Sequence, residues 1–299
     1  MENLDQKFEV GASQRGTGRA GMPSAMIAKT NKELAFLHEL FVATDWGERF
    51  AELIDEHVKL PKEGRALYAG SGTGSHAIAL QERAGDDLKL LCVDENEESL
   101  QLARIKAKTE GNQNIAFHQD QVDSLTLEDD KFDLVIGDGS LIHSERIPEM
   151  LAELVRVAAP GATVAVSLPT FSSFGEFFSI YWEALHNCGL IDHEHDVESL
   201  ITTLPAVSAV EALAEEAGLG EINSTTKIEE FDYPSAEKFF SSPLILDFLM
   251  PIWLETLPED SHRQVFDEIG RLINEESRGM EFALTVKATI VVGRKAQSR

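Results

Sequence analysis

Apolar and polar positions along the chain change period several times, and each change marks an element. Leu34, Leu37, Leu40 and Phe41 recur at helical spacing, as do Phe50, Leu53, Ile54 and His57. Asp45 is a plausible N-cap for the second of these helices, with Glu48 completing a capping box, and Pro61 and Gly64 end it. From residue 65 the rhythm becomes strand, turn, helix. Ala66–Ala69, Leu88–Val93, Ile115–His118, Phe132–Ile136 and Ala162–Leu168 read as short, mostly apolar strands. Helices over Ser75–Arg83, around Glu97–Thr109 and over Ile147–Ala158 separate them. Apolar strands alternating with helices predict a parallel sheet covered on both faces, with right-handed crossovers.

After Pro169 the alternation breaks. An aromatic stretch, Phe171, Phe174, Phe177, Phe178, Tyr181 and Trp182, leads into an acidic one. Residues 207–217 resume as a helix, Glu221–Phe231 reads as a strand, residues 235–278 look helical, and Phe282–Val292 is a final strand. The aromatic stretch has two readings: the core face of one helix, or a lid that binds an apolar or aromatic ligand. Residues 235–260, with Phe239, Phe240, Leu244, Phe248 and Trp253, would form the second wall of such a lid. Trp46 fits either core or pocket. Residues 1–29, four glycines within Gly11–Gly21 and no apolar period, read as a flexible N-terminal arm. Residues 30–299 form the folded domain, with lid insertions at about 171–205 and 235–280.

Composition narrows the function. The chain has 299 residues, 26 basic against 52 acidic, for a formal net charge of −26. That balance disfavours a protein that grips nucleic acid through its phosphates. It leaves a small molecule as the expected partner. No apolar run approaches 18 residues and no secretory leader is visible, so neither a membrane span nor export is expected. Two cysteines, Cys92 and Cys188, make no disulfide framework, and the chain reads as cytoplasmic. The appended helices offer a face for a homodimer. Asp192-His193-Glu194-His195-Asp196 holds metal-ligating residue types, but the run reads as a solvated loop and no metal is expected.

The most informative segment is Tyr68-Ala-Gly70-Ser71-Gly72-Thr-Gly74-Ser75. Glycines at these spacings let a backbone turn tightly and approach a ligand, and the next helix offers free N–H groups. Asp94 ends the second strand, where a carboxylate accepts both hydroxyls of a ribose. Turn plus acid is a nucleoside-binding pair. The third glycine comes one position earlier than in a dinucleotide fingerprint, which makes a nicotinamide cofactor the weaker alternative.

Four segments together resemble the class I S-adenosylmethionine-dependent methyltransferases: Ala66–Gly74, Val93-Asp94, Phe117-His-Gln-Asp120, and Phe132–Ile136 followed by Glu153-Leu-Val-Arg156-Val-Ala-Ala-Pro160-Gly161. The last is similar to quinone-biosynthesis C-methyltransferases. The resemblance implies an α/β, Rossmann-like, seven-stranded and mostly parallel sheet with its last strand antiparallel, and S-adenosyl-L-methionine as cofactor. It also implies site residues. Gly70, Ser71, Gly72 and Gly74 would line the methionine and ribose of the cofactor. Asp94 would take the ribose hydroxyls, with Glu95 beside them. Asp120 would meet the adenine amino group near the Gln121 backbone, and Asp138 would lie near the methionine end. The family usually has an acid where this chain has Tyr68, which would supply either a hydroxyl or a ring facing the sulfonium. An oxygen or nitrogen acceptor needs a base. His143, just past the fourth strand, is the leading candidate, ahead of Glu176 and His186. A protein that binds the cofactor without catalysis is the remaining alternative.

Overall fold

A computed structural model describes residues 29–277 and 281–297, so the expected N-terminal arm lies almost wholly outside the described residues. The chain enters through α1 (Asn31–Leu37), a wider π-helical stretch (His38–Gly47) and α2 (Glu48–His57), which run on without a break. The two helices that the spacing predicts are therefore joined, with no N-cap at Asp45 between them. Thr30 is the actual N-cap and makes a reciprocal capping box with Glu33. Asp45 sits inside the continuous helix and pairs with Arg49. Burial of Val42 and Trp46 on the inner side keeps the chain helical there, overriding the local capping signal.

The alternating region folds as β1 (Gly64–Ala69), α3 (Ser75–Ala84), β2 (Leu88–Asp94), α4 (Glu97–Glu110), β3 (Ile115–Gln119), β4 (Phe132–Asp138), α5 (Ile147–Val157) and β5 (Ala158–Pro169). The second half continues as α6 (Gly175–Asn187), α7 (Glu194–Thr203), α8 (Val207–Glu216) and β6 (Leu219–Tyr233). It ends with α9 (Ala236–Ser241), α10 (Met250–Trp253), α11 (Glu259–Ser277) and β7 (Phe282–Lys295). The sheet order is β3-β2-β1-β4-β5-β7-β6. Strands β1 to β5 are parallel, and β7 runs antiparallel between β5 and β6. This is the seven-stranded, mostly parallel Rossmann-like sheet that the sequence predicts. Among the described residues no single helix is long and apolar enough to cross a membrane.

Three local differences have physical causes. β5 begins at Ala158 rather than Ala162, because Ala158 already pairs with Phe132 before the register shifts. The stretch 235–278 is several helices, since a π-helical segment (Leu244–Leu249) with Pro243 before it separates α9 from α10. The His193–Asp196 run is not a loop but a short turn leading into α7, where His193 Nδ1 lies 2.9 Å from the Asp196 carboxylate.

Two apolar layers cover the sheet. On one face α5 and α8 pack through Met150, Leu151, Leu154 and Val210. On the other, α2, α3, α6, α9, α10 and α11 share one continuous core, which includes Trp46, Phe177, Tyr181, Phe239 and Trp253. Trp46 is therefore core, with its ring stacked 6.2 Å from that of Phe174. Most of the aromatic stretch is core as well. Phe177 lies parallel to Trp253 with ring centroids 4.2 Å apart, whereas Phe171 and Trp182 stay exposed. Arg156 explains why the end of α5 is so constrained. Its guanidinium donates to the Leu125 and Leu127 carbonyls, both at 2.8 Å, and grips Glu153, fastening the β3–β4 connection.

Candidate functional site

The strand order reverses at β1, whose neighbours are β2 and β4. A crevice opens at such a switch point, at the carboxyl ends of the strands. The glycine turn Gly70–Gly74 occupies this rim. Gly70, Gly72 and Gly74 all hold positive φ, at 74°, 54° and 79°, where a side chain is strained. The space is tight too. A Cβ on Gly70 would stand 2.3 Å from the Asp138 carbonyl oxygen, and one on Gly72 would stand 2.7 Å from His38 Cε1.

Asp94, at the tip of β2, faces this turn. Its carboxylate accepts the Gly72 N–H at 2.7 Å through Oδ2 and the Asn96 N–H at 2.9 Å through Oδ1. Each oxygen keeps a further lone pair for a ligand. Burial pushes the Asp94 pKa up to about 6, with the two backbone donors opposing. Asp138, at the tip of β4, accepts the Ser140 N–H at 2.9 Å, and burial raises its pKa as well. The two carboxylates lie on the same sheet face, on either side of Gly70.

The remaining positions on the β2–β3 side are engaged within the protein. Asp120 accepts the Thr126 N–H and hydroxyl, both at 2.7 Å, and so closes the loop after β3. Glu95 is held by the Arg146 guanidinium, which also donates to Asp123 and to the Gln121 side chain at 3.3 Å. Those partners drive the Arg146 pKa up. Glu95 thus braces Arg146, while Asp94 presents its oxygens at the turn.

Beyond Asp138 lies a small pocket of about 50 Å³ that opens to solvent. Its walls include Leu168, Phe174, Phe178, Leu249, Ile252 and Trp253, with Ser140, His143 and Ser144 as polar groups. A few convergent polar groups in an apolar cleft suit a small organic ligand. Phe174, a bulky residue at φ 63°, is strained at this wall. The His143 Nδ1 accepts the Glu145 N–H at 3.4 Å, so in the neutral ring the proton sits on Nε2, which lies 3.8 Å from Glu255. Glu176 instead accepts the Thr285 N–H of β7, and His186 pairs with Glu194 on the surface. Neither lines the pocket.

Four contributors escape a reading of the sequence. His38 reaches the turn from the π-helical stretch, edge-on to Phe248, and burial lowers its pKa to about 4, so it is neutral at physiological pH. Arg146 organises the β2–β3 side. His76 and Asp55 stand beneath the turn, with His76 bonded to Tyr68. Of the four, only His76 had a local signal: it falls in the first turn of the helix that the glycines open.

Rim charge and fold together define a class. Carboxylates flank the turn, and the Arg146 guanidinium on the β2–β3 side is committed to acids, an arrangement that suits a nucleoside carrying positive charge better than a pyrophosphate. Residues 60–204 match the model of a methyltransferase domain. Fold, turn and match agree in likening this segment to a methyltransferase domain. A demethylmenaquinone methyltransferase of Lactococcus lactis is 31% identical over 115 residues, covering 38% of this chain and 46% of that protein. The norajmaline N-methyltransferase of Rauvolfia serpentina is 29% identical over 119 residues, covering 40% of this chain and 39% of its own length. The match thus spans half or less of these relatives. Among solved structures, the YcgJ protein of Bacillus subtilis superposes with a TM-score of 0.55 at 16% identity, covering 84% of this chain and all of that one. The chain resembles the quinone-biosynthesis methyltransferases that the α5–β5 segment suggests.

Proposed function

We propose that the protein transfers a methyl group from S-adenosyl-L-methionine to a small apolar or aromatic acceptor. The observation that carries this reading is the pair Asp94 and Asp138, two enclosed carboxylates flanking a glycine turn that opens onto an apolar pocket. The residues fit the cofactor. Asp94 has acceptor capacity for two ribose hydroxyls, Asp120 lies on the side where the base would rest, and Asp138 faces the cationic end. When bound, S-adenosylmethionine supplies an already activated methyl group.

The chain's own residues hold the acceptor and keep water out. Phe174, Phe178 and Trp253 give the pocket an aromatic wall, and α6 with α10 closes it as a lid. In the tautomer described above, His143 meets the acceptor as a hydrogen-bond donor through Nε2. A donor there stabilises a phenolate or enolate oxygen while the neighbouring carbon takes the methyl group. Methyl transfer to that carbon breaks the donor's sulfur–methyl bond as the carbon–carbon bond forms, and the proton displaced from the ring carbon passes to solvent at the open mouth of the pocket. The names of the relatives, a demethylmenaquinone and an alkaloid methyltransferase, agree with small acceptors.

Titration calorimetry with S-adenosylhomocysteine and with NADH, followed by incubation with labelled donor and a panel of hydroxylated aromatic compounds, tests the reading. Binding of the thioether but not of NADH, with label recovered on carbon, is the expected result. Preferential binding of NADH overturns it.

A further inference from the structure

Strand register lines up one row of positions along the rim of the sheet. Tyr68 stands opposite Cys92 on β2 and Ile136 on β4, and Ile136 stands opposite Ala165 on β5. Two residues further along come Asp94, Gly70, Asp138 and Ser167, with Asp138 and Ser167 directly paired. Side chains two apart on a strand share a face, so Asp94, Asp138 and Ser167 all project to the side that carries the aromatic core. The row has an order. In the donor reading Asp94 takes the ribose and Asp138 faces the cationic end. Ser167 stands one strand beyond, about 4.8 Å further, where an acceptor in line with the methyl group has to lie.

Ser167 is fully buried, and its hydroxyl has no hydrogen-bond partner among the described residues. Asp138 does not satisfy it, because that carboxylate is held by the N–H and the hydroxyl of Ser140. A buried hydroxyl without a partner is costly to keep, and an alanine would avoid the cost. The strand accepts alanine on this face, since Ala165 occupies it two residues earlier. The fold therefore has no use for the oxygen. Its surroundings do point to a ligand. The Ser167 carbonyl accepts the Gly139 N–H at 2.7 Å, and both Gly139 and Leu168, the next residue in the strand, line the acceptor pocket.

We propose that Ser167 is a specificity residue for the acceptor: its hydroxyl bonds a polar substituent on the acceptor ring, other than the oxygen that meets His143. The proposal rests on the acceptor reading above and adds a selection that His143 alone does not make. A hydroxyl both donates and accepts, so it reads a ring hydroxyl or a ring carbonyl and rejects an apolar group at the same place. The wall beside this floor is built to give. Ser172 and Phe174 hold φ 72° and 63° directly after β5, a strained joint at which the Phe174 side of the pocket moves as a ring enters.

Phenol and the three benzenediols are the probes, titrated by ligand-observed NMR into protein saturated with S-adenosylhomocysteine. In wild type at least one diol should bind about tenfold more tightly than phenol, the size of one hydrogen bond to a group otherwise left unpaired. Ser167→Ala should abolish that advantage and leave phenol binding unchanged. Thermal unfolding without ligand gives a second readout. The variant should melt no lower than wild type, because the oxygen it loses has no partner, whereas a hydroxyl that held the strand in place would lower the midpoint when removed. A diol advantage that survives the substitution, equal weakening of phenol and diol, a lowered midpoint, or no diol preferred over phenol in wild type each overturns the proposal. If wild type binds neither phenol nor any diol, the acceptor reading itself falls.

Discussion

Replacing Asp94 by Asn removes one charge from an enclosed position, and the structure sets the size of the result. An ordinary aspartate titrates near 3.9, and burial lifts Asp94 to about 6. The folded protein therefore holds this proton more tightly than the unfolded chain does. For an acid with a raised folded pKa, stability is lost as pH rises from the unfolded to the folded value. Between about pH 4 and 6 this group alone costs the wild type about 3 kcal/mol, and the loss stays constant above that window. The amide of the variant does not titrate. The unfolding free energy of Asp94→Asn minus that of wild type should therefore climb by about 3 kcal/mol from pH 4 to 6.5 and then level off. Taking the difference cancels the remaining titrating groups of this acidic chain. Urea unfolding at four pH values measures it. On the proposed donor site, the same substitution leaves one neutral acceptor where a carboxylate would take two ribose hydroxyls, a loss of about 3 kcal/mol, or about 150-fold in affinity for S-adenosylhomocysteine. A flat stability difference would show that no buried charge resides at position 94. A change in affinity below about threefold would show that the carboxylate does not hold the donor, and the site built here would be wrong.

Two further substitutions probe the turn and the pocket wall. Gly72→Ala places a methyl group at φ 54° and 2.7 Å from His38, so it should destabilise the fold by about 1–2 kcal/mol in thermal unfolding, and adding His38→Ala should recover the steric share only. Trp253→Ala removes a ring stacked on Phe177 and packed against Phe174 and Phe178, so urea unfolding should show a loss of about 3–5 kcal/mol.

How much of this was legible in the sequence follows from where each signal resides. The sheet was, because β1, β2, β4 and β5 are short apolar runs whose helices restart at regular intervals, and periodicity is a local property. The glycine turn was legible because a tight turn at positive φ constrains residue type directly, and the aspartate twenty positions beyond Gly74 does end β2 and accept the Gly72 N–H. The start expected for the second helix at Asp45 is absent, because the burial of Val42 and Trp46 overrules the local capping pattern. His38 and Arg146 were invisible for the same reason: each owes its place to elements far away in the chain, His38 beside Phe248 and Arg146 against Glu95 and Asp123. The acceptor pocket was half legible, since the aromatic stretch announced itself while its division between core and wall depended on how α6 meets α10.

That division has a consequence for how this molecule is able to change. Phe174, Phe178 and Trp253 line the pocket and are at the same time members of the larger of the two hydrophobic layers. A cap borne on a separate module can be exchanged without disturbing what carries it; here the rings that would meet the proposed acceptor also hold the chain together. Any shift toward a smaller or more polar acceptor draws on the reserve that keeps the chain folded, so variants selected for new acceptors should need compensating substitutions. The opposite layer, where α5 and α8 meet the sheet, has no share in the aromatic wall and is where such compensation can accumulate without touching recognition.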